Sequence, residues 1–204
     1  MSEDASPRSA DNDRLIASLR LVIFLDLVYF GVELLVALAI GSVALIADSV
    51  DFLEDMTVNG LILAGLRFGP LWRARLGMGL AGLLVLPAFA GVVMILRKIA
   101  TPMPPAALPL SITGLGALIV NGACAMILAR VRSDAGSLTR AAFLSARNDA
   151  IANVAIIVAG AATALWPTIW PDLIVGAGIA LLNADSAREI FEAAREEHRD
   201  AGAG

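Results

Sequence analysis

Runs of about twenty consecutive apolar residues recur along the whole chain, and no other feature restricts its fold as much. The first includes LRLVIFLDLVYFGVELLVALAI, Leu19 to Ile40, with only Arg20, Asp26 and Glu33 charged. A bilayer core is about 30 Å thick and an α-helix rises about 1.5 Å per residue, so each run can cross it once. Of the 204 residues, 58% are hydrophobic and 17% charged. Soluble domains are nearer 45–50% apolar and about 25% charged, so the surplus must face something other than water. The runs lack the alternation of a barrel strand, which leaves helices.

Six spans can be drawn. The first runs from Leu15 to Ile40, and a tight Gly41-Ser42 turn separates it from the second, Val43 to Leu66. A basic loop, RFGPLWRAR, leads to the third, Gly77 to Leu96, and the connector TPMPPAALP to the fourth, Leu110 to Ala129. A polar loop, RVRSDAGSLTR, precedes the fifth, Ala141 to Leu165. WPTIWPD, with tryptophans suited to the membrane interface, precedes the sixth, Leu173 to Asn183, which continues as a charged helix. The expected organisation is a polar tail over 1–14, a six-helix transmembrane domain over 15–192 and a short charged tail over 193–204, without a cytoplasmic domain.

Basic residues set the orientation. Arg8, Arg14, Arg20, Arg67, Arg73, Arg75, Arg130, Arg132, Arg140, Arg188, Arg195 and Arg199 fall on one side of this topology, whereas Arg97 and Lys98 alone fall on the other. Both termini are therefore expected in the cytoplasm, with the bacterial inner membrane as location. The single cysteine, Cys124, allows no internal disulfide and reads as a small buried apolar thiol. The only histidine, His198, lies in the charged C-terminal tail, so no imidazole is embedded in the membrane. No nucleotide-binding loop or nucleic-acid-binding patch is recognisable.

Against this background ALIADSVDFLEDMTVNGLIL, Ala44 to Leu63, is costly. An ionised carboxylate at the centre of a membrane helix costs about 2.5–3.5 kcal/mol on insertion scales, so four approach 10 kcal/mol. Residues three and four apart share a helix face. Asp48, Asp51, Asp55 and Asn59 therefore form one stripe, with Glu54 to its side. In FLSARNDAIANVAII of the fifth span, Ser145 and Asp149 share a face flanked by Asn148 and Asn153. Single asparagines such as Asn59, Asn121, Asn153 and Asn183 suit interhelical hydrogen bonding. Repeated carboxylates do not: two like charges about 6 Å apart repel by roughly 3 kcal/mol at an effective dielectric near 20. Desolvation and repulsion favour the protonated acids, and a divalent cation entering the cluster would expel those protons. Metal-for-proton exchange is the core of an antiport cycle.

GSVALIADSVDFLED followed by an apolar run resembles the second transmembrane helix of the cation diffusion facilitator family, whose pattern is a small-residue turn, ALxAD and a His/Asp-xxx-Asp pair. The pair falls here on Asp51 and Asp55, with Asp48 the preceding acid. AAFLSARNDAIANVAIIVAG resembles the family's fifth helix, whose second His/Asp-xxx-Asp pair completes a tetrahedral site, and Asp149 matches its acidic member. The resemblance extends to Glu33 and to PDLIVGAGIALLNADSAREIFEAAREE, similar to the sixth helix. Two departures stand out. Ser145 replaces the His or Asp of the fifth-helix pair, so the fourth ligand is Ser145, Asn148 or water. The family's cytoplasmic domain, which binds further metal and helps dimerisation, has no counterpart.

The expectation is an all-α integral membrane protein that exports a divalent metal ion in exchange for protons. Asp51, Asp55 and Asp149 are the expected ligands, with Ser145 or Asn148 the fourth. Asp48 is an accessory acid. Asp26 and Glu33, seven apart on one face, are either accessory groups of a pathway or relay, or partners of Arg20. An all-oxygen set admits zinc, cadmium, manganese, iron or cobalt. The metal is cargo, no resident cofactor or enzymatic activity is expected, and any homodimer must form through the membrane helices and the tail. The competing classes are a metal-binding or interaction protein without transport and an intramembrane aspartyl hydrolase, whose Gly-rich signature is absent.

Overall fold

The computed structural model describes the backbone of residues 7–65, 68–131 and 136–203, and side chains chiefly within 13–64, 89–131 and 149–184. Six helices follow one another: α1 Pro7–Ile40, α2 Val43–Gly65, α3 Pro70–Ala100, α4 Ala107–Val131, α5 Gly136–Leu165 and α6 Trp170–Ala203. No strand occurs among the described residues.

The helices outrun the apolar segments that announce them. α1 begins at Pro7, inside the polar tail, because proline suits a first helical position. The basic stretch expected as a loop is helical from Pro70, which follows Gly69 in extended conformation. Hydropathy marks where lipid would lie, whereas helical hydrogen bonding continues until a cap or a breaker ends it.

α2 is the axis of the bundle and touches each of the other five helices. α1 packs on α2 and α4, α4 on α5, and α3 on α6. α2 and α5 meet over a short stretch only. The packing turns the usual soluble pattern inside out. α1 buries Leu19, Val22, Asp26, Glu33 and Ala37 on one face, while Phe24, Leu27, Val28, Leu35 and Leu38 are exposed. Such an outer surface suits acyl chains. Asp13–Ile40 and Ala107–Val131 are long and apolar enough to cross a bilayer, and Asp149–Leu165 and Trp170–Ala184 are shorter apolar stretches.

One end of the bundle is knotted by buried polar groups. Gly41 adopts φ +67°, a left-handed turn that glycine enters without steric cost. Ser42 then caps α2, its Oγ accepting from Leu45 N at 3.1 Å. Asp172, in the first turn of α6, accepts from Val43 N at 2.9 Å, Ala44 N at 3.1 Å and Ser42 Oγ at 2.5 Å. Its carboxylate thus sits on the positive end of α2. Lys98 of α3 pairs with the same carboxylate and donates to Gly41 O at 2.7 Å. Asp172 and Lys98 are both buried, so this Lys98 is not the free loop charge that the sequence suggests. α6 approaches α2 so closely that a Cβ at Gly176 would lie 2.7 Å from Ala44 N and Val43 C.

Candidate metal site

α2 places its acids along one stripe, at spacings of three and four, and α1 runs antiparallel beside it. Asp26 and Glu33 are seven residues apart on α1, as are Asp55 and Asp48 on α2. Seven residues of helix span about 10.5 Å, so the two pairs match in reverse order. Glu33 faces Asp48, and Asp26 comes within electrostatic reach of Asp55. α5 brings Asp149 within reach of Asp51, Asp55 and Asp48. Three of the expected ligands thus gather where α2 and α5 meet. They stop short of a closed shell: among the described residues, no three His, Cys, Asp or Glu side chains stand at a common metal-ligand distance.

Neutral polar side chains around the stripe satisfy themselves on backbone. Asn59 Nδ2 donates to Asp55 O at 2.8 Å, Asn153 Nδ2 to Asp149 O at 2.7 Å, and Thr57 Oγ1 to Leu53 O at 2.7 Å. Asn183 Nδ2 donates to Ala47 O at 2.8 Å and ties α6 to α2, as expected of interhelical glue. Tyr29 OH donates to Thr113 O at 2.6 Å and joins α1 to α4.

The acids differ. Asp26, Glu33 and Asp48 are all fully buried. Asp26 Oδ2, both oxygens of Glu33, both of Asp48 and Glu54 Oε1 receive no hydrogen bond from any donor. Arg20 is exposed and forms no ion pair with Asp26 or Glu33, so the alternative that it neutralises them is corrected. Among the described residues the ion pairs are Lys98–Asp172 and Arg188–Glu192, and neither touches the stripe. Buried carboxyls without donors or cations are rare, because each forfeits its hydration unrepaid. Asp51, Asp55 and Asp149 retain partial exposure, as residues lining a crevice do. Ser145 and Asn148 belong to α5, with side chains outside the described residues.

Cys124 departs from its reading as an apolar thiol. It is buried, yet its Sγ donates to Asp26 Oδ1 at 3.4 Å. The contact joins residues 98 apart in sequence, and no local pattern announces it. The Asp172 knot was equally hidden. Its one sequence signal is an acid in the first turn of a helix opened by Trp-Pro.

Residues 19–197 match the family model of the cation efflux transmembrane domain. No curated protein matches the chain.

Proposed function

Because the chain belongs to the cation efflux transmembrane domain family and is an integral membrane protein of a divalent metal efflux class, we propose that it moves its metal ion outward in exchange for protons. The observation that carries this reading is the group of buried acids with unpartnered oxygens that α1 and α2 turn toward one another, with Asp149 of α5 in reach and no cationic partner among the described residues. A set of like charges, part buried and part lining a crevice, lacks a positive charge that either protons or a divalent ion can supply. Loading one releases the other, which couples the two fluxes.

In this reading Asp51, Asp55 and Asp149 hold the ion, and Ser145 or Asn148 completes the shell. Asp48, Glu33 and Asp26 are accessory acids beside it. The partial exposure of the three ligands and their incomplete convergence suit a site open to one side, which closes around the ion as the helices shift. The oxygen donor set suits manganese, iron or cobalt as well as zinc and cadmium. The excess of arginine on one side of the six-span topology supports cytoplasmic termini in a bacterial inner membrane. Withdrawal of Lys98 into its pair with Asp172 sharpens that asymmetry. The protein would work as a homodimer formed through its membrane helices.

The test is metal uptake into proteoliposomes loaded with a pH-sensitive dye, across a series of divalent ions. Metal-dependent proton movement in the opposite direction is expected. Saturable metal binding with neither metal nor proton flux would overturn the transport reading.

A further inference from the structure

The half of α2 nearest Asp172 is enclosed on every side. Nine consecutive residues, Ser42 to Val50, are all buried, and exposure returns at Asp51, then at Asp55 and Val58. All six helices contribute to the apolar plug around this stretch: Ala37 of α1, Leu45 of α2, Met94 of α3, Leu110 of α4, Ile156 of α5 and Ile179 of α6. From Ser42 to Asp51 the helix rises about 13.5 Å, nearly half the thickness of a hydrocarbon core. The other half of α2 is packed differently. There, among the described residues, the cluster of Leu19, Val22, Cys124 and Leu128 takes in Ile62 and Leu63 and joins only α1, α2 and α4. Asp51 and Asp55 thus stand where the enclosed half of α2 gives way to the looser one.

We propose that the acid stripe communicates with one face of the membrane only, the face that bears both termini, and that Lys98 and Asp172 are positioning residues that keep the opposite end shut. They touch no ion. Asp172 accepts from Val43 N, Ala44 N and Ser42 Oγ, so it holds the start of α2 against α6. Lys98 ties α3 to the same carboxylate and to Gly41 O. One carboxylate therefore fastens three helices at the end of the plug. Neutralising it strands the buried Lys98. The cheapest relief is hydration of the knot, which opens the plug from the Lys98 side. The proposal deepens the transport reading and rests on it in one respect: an ion loads from the face that the acids already meet.

The experiment labels single thiols with a cationic methanethiosulfonate, too polar to cross the bilayer, applied to either face of proteoliposomes that hold the protein in known orientation. Cys124→Ser removes the only cysteine. In that background Asp55→Cys should react from the face bearing the termini and not from the Lys98 face. Ser49→Cys, a near-isosteric change within the enclosed stretch, should react from neither. Adding Asp172→Asn should make Ser49→Cys react at least about tenfold faster from the Lys98 face alone, the scale of a lost buried ion pair. General loosening would speed the reaction from both faces. Reaction of Asp55→Cys from the Lys98 face, or from neither face, overturns the one-sided access. Unchanged or two-sided reaction of Ser49→Cys in Asp172→Asn overturns the role of the knot. The Asp55→Cys arm leaves the knot intact, so it decides the sidedness even where Asp172→Asn fails to fold. Labelling needs no flux: the expected pattern in a protein that moves no metal would sink the transport reading alone, and flux with two-sided labelling would sink this one alone.

Discussion

Glu33 of α1 and Asp48 of α2 bury their carboxyls against each other, and none of their four oxygens receives a hydrogen bond from another group. Two acids so placed are coupled: whatever neutralises one alters the other. Glu33→Gln and Asp48→Asn should therefore be non-additive, with a coupling of about 0.5–3 kcal/mol in a double-mutant cycle. Thermal or denaturant unfolding in detergent measures it. Strict additivity would mean that the two side chains do not share one electrostatic environment.

The ligand assignment makes a sharper demand. Asp51→Asn and Asp149→Asn keep size and shape but remove a charge, so each should abolish metal flux while the protein still inserts and stays helical. Ion uptake into proteoliposomes and circular dichroism check the two halves. Full transport by either variant would remove that residue from the site. Ser145→His would add an imidazole and should move preference toward zinc, read in the same ion series. Unaltered selectivity would place Ser145 elsewhere.

Much of this was legible because the period of an α-helix is fixed. Asp48, Asp51 and Asp55 had to share a face, and Asp26 and Glu33 another, whatever the rest of the chain did. The matched spacing of seven became meaningful only once α1 and α2 were seen side by side. Contacts between distant segments stayed hidden. Lys98 and Asp172 lie 74 residues apart, and nothing local to either names the other. Lys98 looked like a loop charge because its helix was expected to stop at Leu96, whereas α3 runs to Ala100. The polar starts of α1 and α3 were missed for the same reason: hydropathy reports lipid contact, not backbone hydrogen bonding.

The Lys98–Asp172 pair should be the costliest polar contact to break at its end of the bundle. Asp172→Ala removes the acceptor for Val43 N, Ala44 N and Ser42 Oγ and leaves Lys98 buried without its partner. Severing a buried ion pair from one side costs about 3–5 kcal/mol. The double variant Lys98→Met with Asp172→Asn should recover part of that loss, because no uncompensated charge remains. Detergent unfolding midpoints decide it: a double variant less stable than Asp172→Ala would show that the stranded lysine is not the main cost.

Glycine at position 176 is required by approach rather than by backbone conformation. A Cβ there would stand 2.7 Å from Ala44 N and from Val43 C, both backbone atoms held in place by Asp172. Neither can yield without disturbing the capped start of α2. Two residues further along α6, a Cβ at Gly178 would meet nothing within 4 Å. Gly176→Val should thus lower stability by about 1–3 kcal/mol, the usual range for overpacking. Gly178→Val should change it far less, since valine costs a helix no more than glycine does. Comparing the two in one unfolding assay separates close packing from helix propensity. Equal losses would mean that α6 does not press on the start of α2. Loss confined to Gly176→Val would fix the junction of α6 and α2 as a rigid end of the bundle, leaving the acid-lined half of α2 as the part free to move around an ion.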